Sequence, residues 1–189
     1  MSFLQNIQLR LYNYFLSQKL KKIKTERKAI NFDKAKRIGI LFDATNPDNE
    51  AIVNRYKKNL QNSGKKVDML AYVDDKLEHD TTLFKYFNRK NLSWTLQPKG
   101  SVVEQFMETP FDILLNLHID TVQPLEYVSA LSKAHLRVGQ FREDKEYCYD
   151  LMIDIPKDDS LNNFIGQLFR HQSMQSTKYM SKWIEAKNK

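Results

Sequence analysis

Glycine is scarce in this chain: five residues in 189, at positions 39, 64, 100, 139 and 166. A phosphate cradle needs glycines, because backbone N–H groups must approach the anion closely. None of the five falls in a G-x-G-x-x-G or G-x-x-x-x-G-K pattern, so no dinucleotide or nucleoside-triphosphate site of the usual kinds is expected. Cysteine is scarcer still. Cys148 is the only one, which rules out an internal disulfide and points to a reducing cytoplasm. It precedes the strand-like run YDLMIDI and reads as a small hydrophobe rather than a reactive thiol. The four histidines are scattered at 79, 118, 135 and 171, without the spacing of metal ligands on a helix and without a Cys–His cluster. No G-x-S-x-G elbow is present. No metal and no cofactor is expected. No apolar run approaches the roughly 18 to 20 residues that span a bilayer. The start, MSFLQNIQLRLYNYFLSQ, lacks the basic opening, apolar core and cleavage site of a signal peptide.

What the chain has in excess is positive charge at one end. The formal net charge is +7. Residues 1–37 hold ten Lys and Arg against Glu26 and Asp33, leaving 20 basic and 21 acidic side chains for the rest. The stretch QKLKKIKTERK, residues 18–28, concentrates six basic residues around one acidic residue. Asymmetry of this kind points to a polyanionic partner, either nucleic acid or an anionic membrane surface. The body is nearly neutral, and 11 Phe, 9 Tyr and 2 Trp can fill a core. Three segments are expected: a basic amphipathic N-terminal helix over 1–35, an α/β domain over 36–176 and a basic tail over 177–189.

Residues 2–29 contain no glycine or proline. Phe3, Leu4, Ile7, Leu11, Tyr14 and Phe15 recur at spacings of three and four, which predicts an amphipathic helix with an apolar stripe continued by Leu16, Leu20 and Ile23. RIGILFDA (37–44) reads as a buried parallel strand. Asn46 and Pro47 then supply an N-cap and a first helical residue, for a helix to about Asn62 that Gly64 closes. KKVDMLAYVD (65–74) is a second strand, residues 75–91 a weakly patterned polar stretch, and 92–96 a third strand or edge. Ser101 is expected to cap a short helix. FDILLNL (111–117), 136–141 and 149–155 read as strands, 124–134 as a helix. Ser160 opens a last helix, and Trp183 lies on a last helical turn in the tail. Strands alternating with helices imply βαβ units. The fold class is α/β: a doubly wound, Rossmann-like or flavodoxin-like three-layer sandwich around a mostly parallel sheet of about five strands.

Ligands of such sheets bind beyond the carboxyl ends of the strands. Those ends carry Asp43, Thr45 and Asn46, then Asp74 and Asp75, then His118 and Asp120. These seven residues are the candidate site for a metabolite, or for a hard cation bound by converging carboxylates. Asp43 after an apolar strand resembles the nucleophile of haloacid-dehalogenase phosphatases. That family places a second Asp two positions on, where this chain has Thr45, so Asp43 reads instead as the cap of its own loop.

Residues 111–141, FDILLNLHIDTVQPLEYVSALSKAHLRVGQF, resemble part of the N-terminal domain of bacterial heptosyltransferases, at the level of fold and over about a sixth of the chain. RIGILFDATN, VDMLAYVDD, FDILLNL, ALSKAHLRVGQF and YDLMIDI together resemble an uncharacterised Bacteroidota family of small cytoplasmic α/β proteins, a domain of unknown function. The resemblance implies fold and compartment and supplies no catalytic residue.

The leading expectation is a non-catalytic module that grips RNA phosphates, on the ribosome or elsewhere. Its contacts would be Lys19, Lys21, Lys22, Lys24, Arg27 and Lys28, continued by Lys34, Lys36 and Arg37. The alternatives are a small enzyme or metabolite-binding domain using the strand-end carboxylates, and a peripheral protein whose first helix lies on an anionic membrane. The apolar face of that helix could also pair with another protein or a second copy.

Overall fold

The computed structural model describes residues 3–156 and 160–173; the basic tail with Trp183 lies outside them. Six strands form one parallel sheet: β1 (Arg37–Asp43), β2 (Lys66–Val73), β3 (Lys85–Asn88), β4 (Ile113–Leu117), β5 (Leu136–Gln140) and β6 (Leu151–Ile153). Their order is β3-β2-β1-β4-β5-β6, that of a Rossmann-like doubly wound fold. β1 lies between β2 and β4, with Ile38 opposite both Val67 and Ile113. It is apolar on both faces for that reason. Ile38, Ile40 and Phe42 point one way and Leu41 the other, and all four are fully buried.

Helices α2 (Pro47–Asn62) and α5 (Leu161–Ser173) cover the first face, where Val53, Tyr56, Leu60, Phe164 and Leu168 meet Ile40 and Phe42. Helices α3 (Ser101–Glu108) and α4 (Gln123–Leu131) cover the second, through Val103, Phe106, Leu125 and Val128. The N-terminal helix α1 (Phe3–Leu20) packs outside α4. α2 begins as its sequence predicts: the Asn46 side chain accepts the Asp48 N–H at 3.0 Å, and Pro47 is the first helical residue. Gly64, at φ +78°, closes it with its N–H on Gln61 O.

The sheet expected to have about five strands has six. Three expectations are corrected. The third strand is β3, inside the stretch read as polar loop, while Leu92 makes only an isolated antiparallel bridge to Pro98. β3 is a four-residue edge strand, too short to display a period. Gly100, at φ +111°, occupies the N-cap of α3, and Ser101 is its first helical residue.

The third correction concerns α1, which stops at Leu20 rather than near residue 29. The following chain is pulled into an extended strap. The Lys28 N–H donates to His135 O at 2.9 Å, and the Arg27 guanidinium donates to Ala134 O and, at 3.1 Å, to Ser132 O. Tertiary contacts override local helix propensity here. The face on which α1 docks also differs from the expected stripe. Tyr12 and Leu16 are buried against Tyr127, Ala130 and Tyr149, while Leu4, Tyr14 and Phe15 face outward.

Candidate functional site

β1 and β4 are neighbours whose connections leave to opposite faces: β1 feeds α2 and β4 feeds α4. The loops part at that switch point, where doubly wound sheets hold their ligands. A cleft of about 790 Å³ opens there. Asp43, Thr45, Asp74 and Asp120 line it, together with Tyr72, Arg89 and Thr121 from the strand ends. Its outer wall comes from Gln5 and Gln8 of α1 and from the turn carrying Ser93, Trp94 and Leu96. Gln8 Nε2 donates to Trp94 O at 2.5 Å and ties the two parts of that wall together. Leu96 sits at φ +59°, a region that costs a branched side chain about 1–2 kcal/mol.

Four of the seven residues expected at the strand ends therefore meet in one cleft, and the other three do not line it. Asp43 Oδ1 accepts the Thr45 N–H at 2.9 Å, the loop cap expected of it. Thr45 Oγ1 accepts the Asp74 N–H at 2.9 Å, fastening the β1 and β2 ends together. Arg89 grips the Asp74 carboxylate through Nε at 2.7 Å and Nη2 at 2.6 Å, and the Tyr72 hydroxyl adds a third bond at 2.8 Å. The Arg89 bond holds Asp74 below the usual carboxylate range against a smaller opposing effect of desolvation. Asn46 is spent on capping α2. Asp75 lies outside the cleft, paired with His79 at 2.9 Å.

His118 is buried and does not line the cleft. Its Nδ1 is 2.8 Å from the Asp120 carbonyl, which can only accept, so the proton sits on Nδ1. Nε2, 3.3 Å from the Tyr149 hydroxyl, is then the acceptor. Desolvation lowers the imidazole pKa, which favours this neutral form.

With Asp74 neutralised by Arg89, Asp43 and Asp120 leave the cleft net negative. The Asp120 carboxylate has no partner among the described residues, and Asp43 has its second oxygen unengaged. The four carboxylates do not converge on a cation: among the described residues no group of three His, Cys, Asp or Glu side chains is placed to hold a metal ion. Arg89 and His79 have taken Asp74 and Asp75 instead. Arg89 and Trp94 were not foreseen from the sequence, because both fall in segments without a readable period. The short polar run after Asp74 was the only available signal.

The nine basic residues expected to contact RNA divide into two groups. Arg27 is committed to the fold, its side chain 11% exposed, bonded to two carbonyls and 3.9 Å from Asp150. Arg37 pairs with Asp68 at 2.9 Å and lies over the Phe111 ring. Lys19 donates to the Tyr127 hydroxyl at 2.5 Å, and Lys28 pairs with Glu26 at 3.2 Å. Lys21, Lys22, Lys24, Lys34 and Lys36 are exposed.

Among the described residues, no helix is long and apolar enough to cross a membrane. No curated protein and no solved structure matches the chain significantly. A family pattern does match, over residues 8–171, which takes in the helix α1 from Gln8 onward, the whole sheet and every cleft residue but Gln5: the chain belongs to a family of unknown function (DUF6913).

Proposed function

We propose that this protein is a small-molecule-binding α/β domain whose ligand occupies the switch-point cleft. One observation carries the reading: unpartnered carboxylate oxygens of Asp43 and Asp120 line a cleft of about 790 Å³, at the place where this topology holds ligands. The cleft chemistry restricts the ligand class. A phosphate would meet Asp43 and Asp120 directly, with Asp48 and Glu50 in the first turn of α2 nearby, so the helix N-terminus that usually favours anions is already compensated. The ligand is instead an amine or a polyhydroxyl compound, presenting N–H or O–H donors to the two carboxylates. Trp94, 63% exposed on the outer wall, offers it a flat apolar face.

Both nitrogens of His118 are engaged, by the Asp120 carbonyl and the Tyr149 hydroxyl, so any proton transfer in the cleft would fall to the Asp43 and Asp120 carboxylates. The likeness of residues 111–141 to a heptosyltransferase domain agrees with a ligand at the end of β4 and brings no sugar-nucleotide residue. The single buried thiol of Cys148 agrees with a reducing cytoplasm, and the resemblance to a Bacteroidota family of cytoplasmic proteins points the same way. The test is thermal unfolding in the presence of spermidine, arginine, ribose, glucosamine, inorganic phosphate and ATP. Stabilisation by an amine or polyol that is lost in Asp43→Asn supports the reading; stabilisation by phosphate or ATP alone would refute it.

Contact with RNA phosphates is the second reading, favoured by Lys21, Lys22, Lys24, Lys34 and Lys36, which are exposed and in none of the ion pairs described above. It no longer includes Arg27 or Arg37 as free contacts. It also gives no use to the outward apolar face of α1.

A further inference from the structure

α1 has two apolar faces and its own fold uses one. Tyr12 and Leu16 are buried, while Leu4 is 69% exposed, Tyr14 57% and Phe15 41%. Leu4, Ile7, Leu11, Tyr14 and Phe15 follow the 3.6-residue period and share the outward side. Trp94 is tethered beside this face by its carbonyl bond to Gln8. The exposed set is thus a leucine and three aromatic rings of kinds that settle at a membrane–water interface.

Charge decides what covers this face. The first acidic residue of the chain is Glu26, so residues 1–25 carry Arg10, Lys19, Lys21, Lys22 and Lys24 with no counter-charge. Lys21, Lys22 and Lys24 are exposed directly beyond the helix end. A second copy would bring the same lysines against these and repel. RNA would use the lysines and leave the apolar side chains in water. An anionic bilayer satisfies both at once. We infer that α1 is an interfacial docking element, lying in the headgroup layer of an anionic membrane with Leu4, Tyr14, Phe15 and Trp94 in contact with lipid and Lys21, Lys22 and Lys24 on the headgroups.

The experiment is flotation of the full chain with vesicles of phosphatidylcholine alone and of phosphatidylcholine with 30% phosphatidylglycerol, at about 50 and 500 mM salt. The wild type is expected to float with the anionic vesicles only, and less at high salt. Lys21→Gln, Lys22→Gln and Lys24→Gln together should weaken partitioning about a hundredfold, near fivefold per lysine. Leu4→Gln, Tyr14→Gln and Phe15→Gln together should abolish flotation. These three sites are exposed, so the circular dichroism and melting temperature of that variant are expected to stay as in the wild type. No flotation of the folded wild type overturns the inference. So does flotation unaffected by the apolar variant, or tight RNA binding that needs the lysines and not the apolar residues. Dimerisation lost in the apolar variant would reassign the face to a second copy. The response to amines and polyols is expected to survive in both variants, so failure here is separable from failure of the cleft reading.

Discussion

Arg137 and Asp150 form an ion pair with almost no access to water: their side chains are 5% and 1% exposed. Arg137 donates to Asp150 through Nε at 2.8 Å and Nη2 at 2.7 Å, and its backbone N–H adds a bond at 2.9 Å. Arg27 approaches the same carboxylate from the strap. Removing one member strands a buried charge, so Asp150→Ala is expected to cost about 3–5 kcal/mol in denaturant unfolding. Burial alone would raise the Asp150 carboxyl, but the Arg137 bonds, with Arg27 behind them, hold it below its ordinary value. The folded state then binds the proton more weakly than the unfolded one. Its contribution is present above the unfolded pKa, about 3.9, and is lost as pH falls through the lower folded value. His118 obeys the same sign at higher pH: desolvation lowers its pKa, so its contribution is complete above about 6.5 and is lost as pH falls below that. Stability measured from pH 8 to pH 5 should decline, and His118→Gln should flatten that decline. Cys148 makes a simpler case. Burial, then the nearby Glu126 charge, pushes its thiol up to about 12. A thiol reagent at pH 8 should modify the native protein no faster than it unfolds.

Among the elements, α1 separates packing from surface within one helix. Tyr12 is buried, donates to Gln123 O at 3.1 Å and meets the Tyr127 ring at 6.1 Å between centroids. Leu16 lies buried in the same cluster. Leu16→Ala should cost about 2–5 kcal/mol and Tyr12→Ala about 3–5 kcal/mol, whereas Leu4→Gln should stay within about 0.5 kcal/mol. Equilibrium urea unfolding of the three variants checks the contrast. The sequence could not make that distinction. Period 3.6 identifies apolar faces, and α1 has two that adjoin, so the pattern alone does not say which is covered. β1 and α2 were legible to within a residue because their signals are local: an unbroken apolar run, an Asn cap, a proline at the first position and a glycine stop. β3 and the end of α1 were not, because a paired edge in one case and the Arg27 and Lys28 contacts in the other decide them. Both decisions are made by residues distant in the chain.

At the scale of the whole molecule, a basic face and an acidic cleft are built on one sheet. The strand-end residues of the cleft were legible, since topology fixes that edge whatever the loops do. Their division of labour was not. Asp74 is silenced by Arg89, Asp75 by His79 and Asn46 by the cap of α2, which leaves Asp43 and Asp120 as the available acceptors. The account therefore predicts a ligand that donates hydrogen bonds, in a protein whose overall charge of +7 would suggest the opposite. A titration of the full chain with glucosamine and spermidine against inorganic phosphate and ATP, read by melting temperature, tests this most directly. A saturable rise with an amine or polyol, absent in Asp43→Asn and in Asp120→Asn but retained when Lys21, Lys22 and Lys24 are changed to Gln, is the result predicted. A rise produced only by phosphate or ATP, abolished by the lysine changes and indifferent to Asp43 and Asp120, would contradict it and move the function to the basic strap.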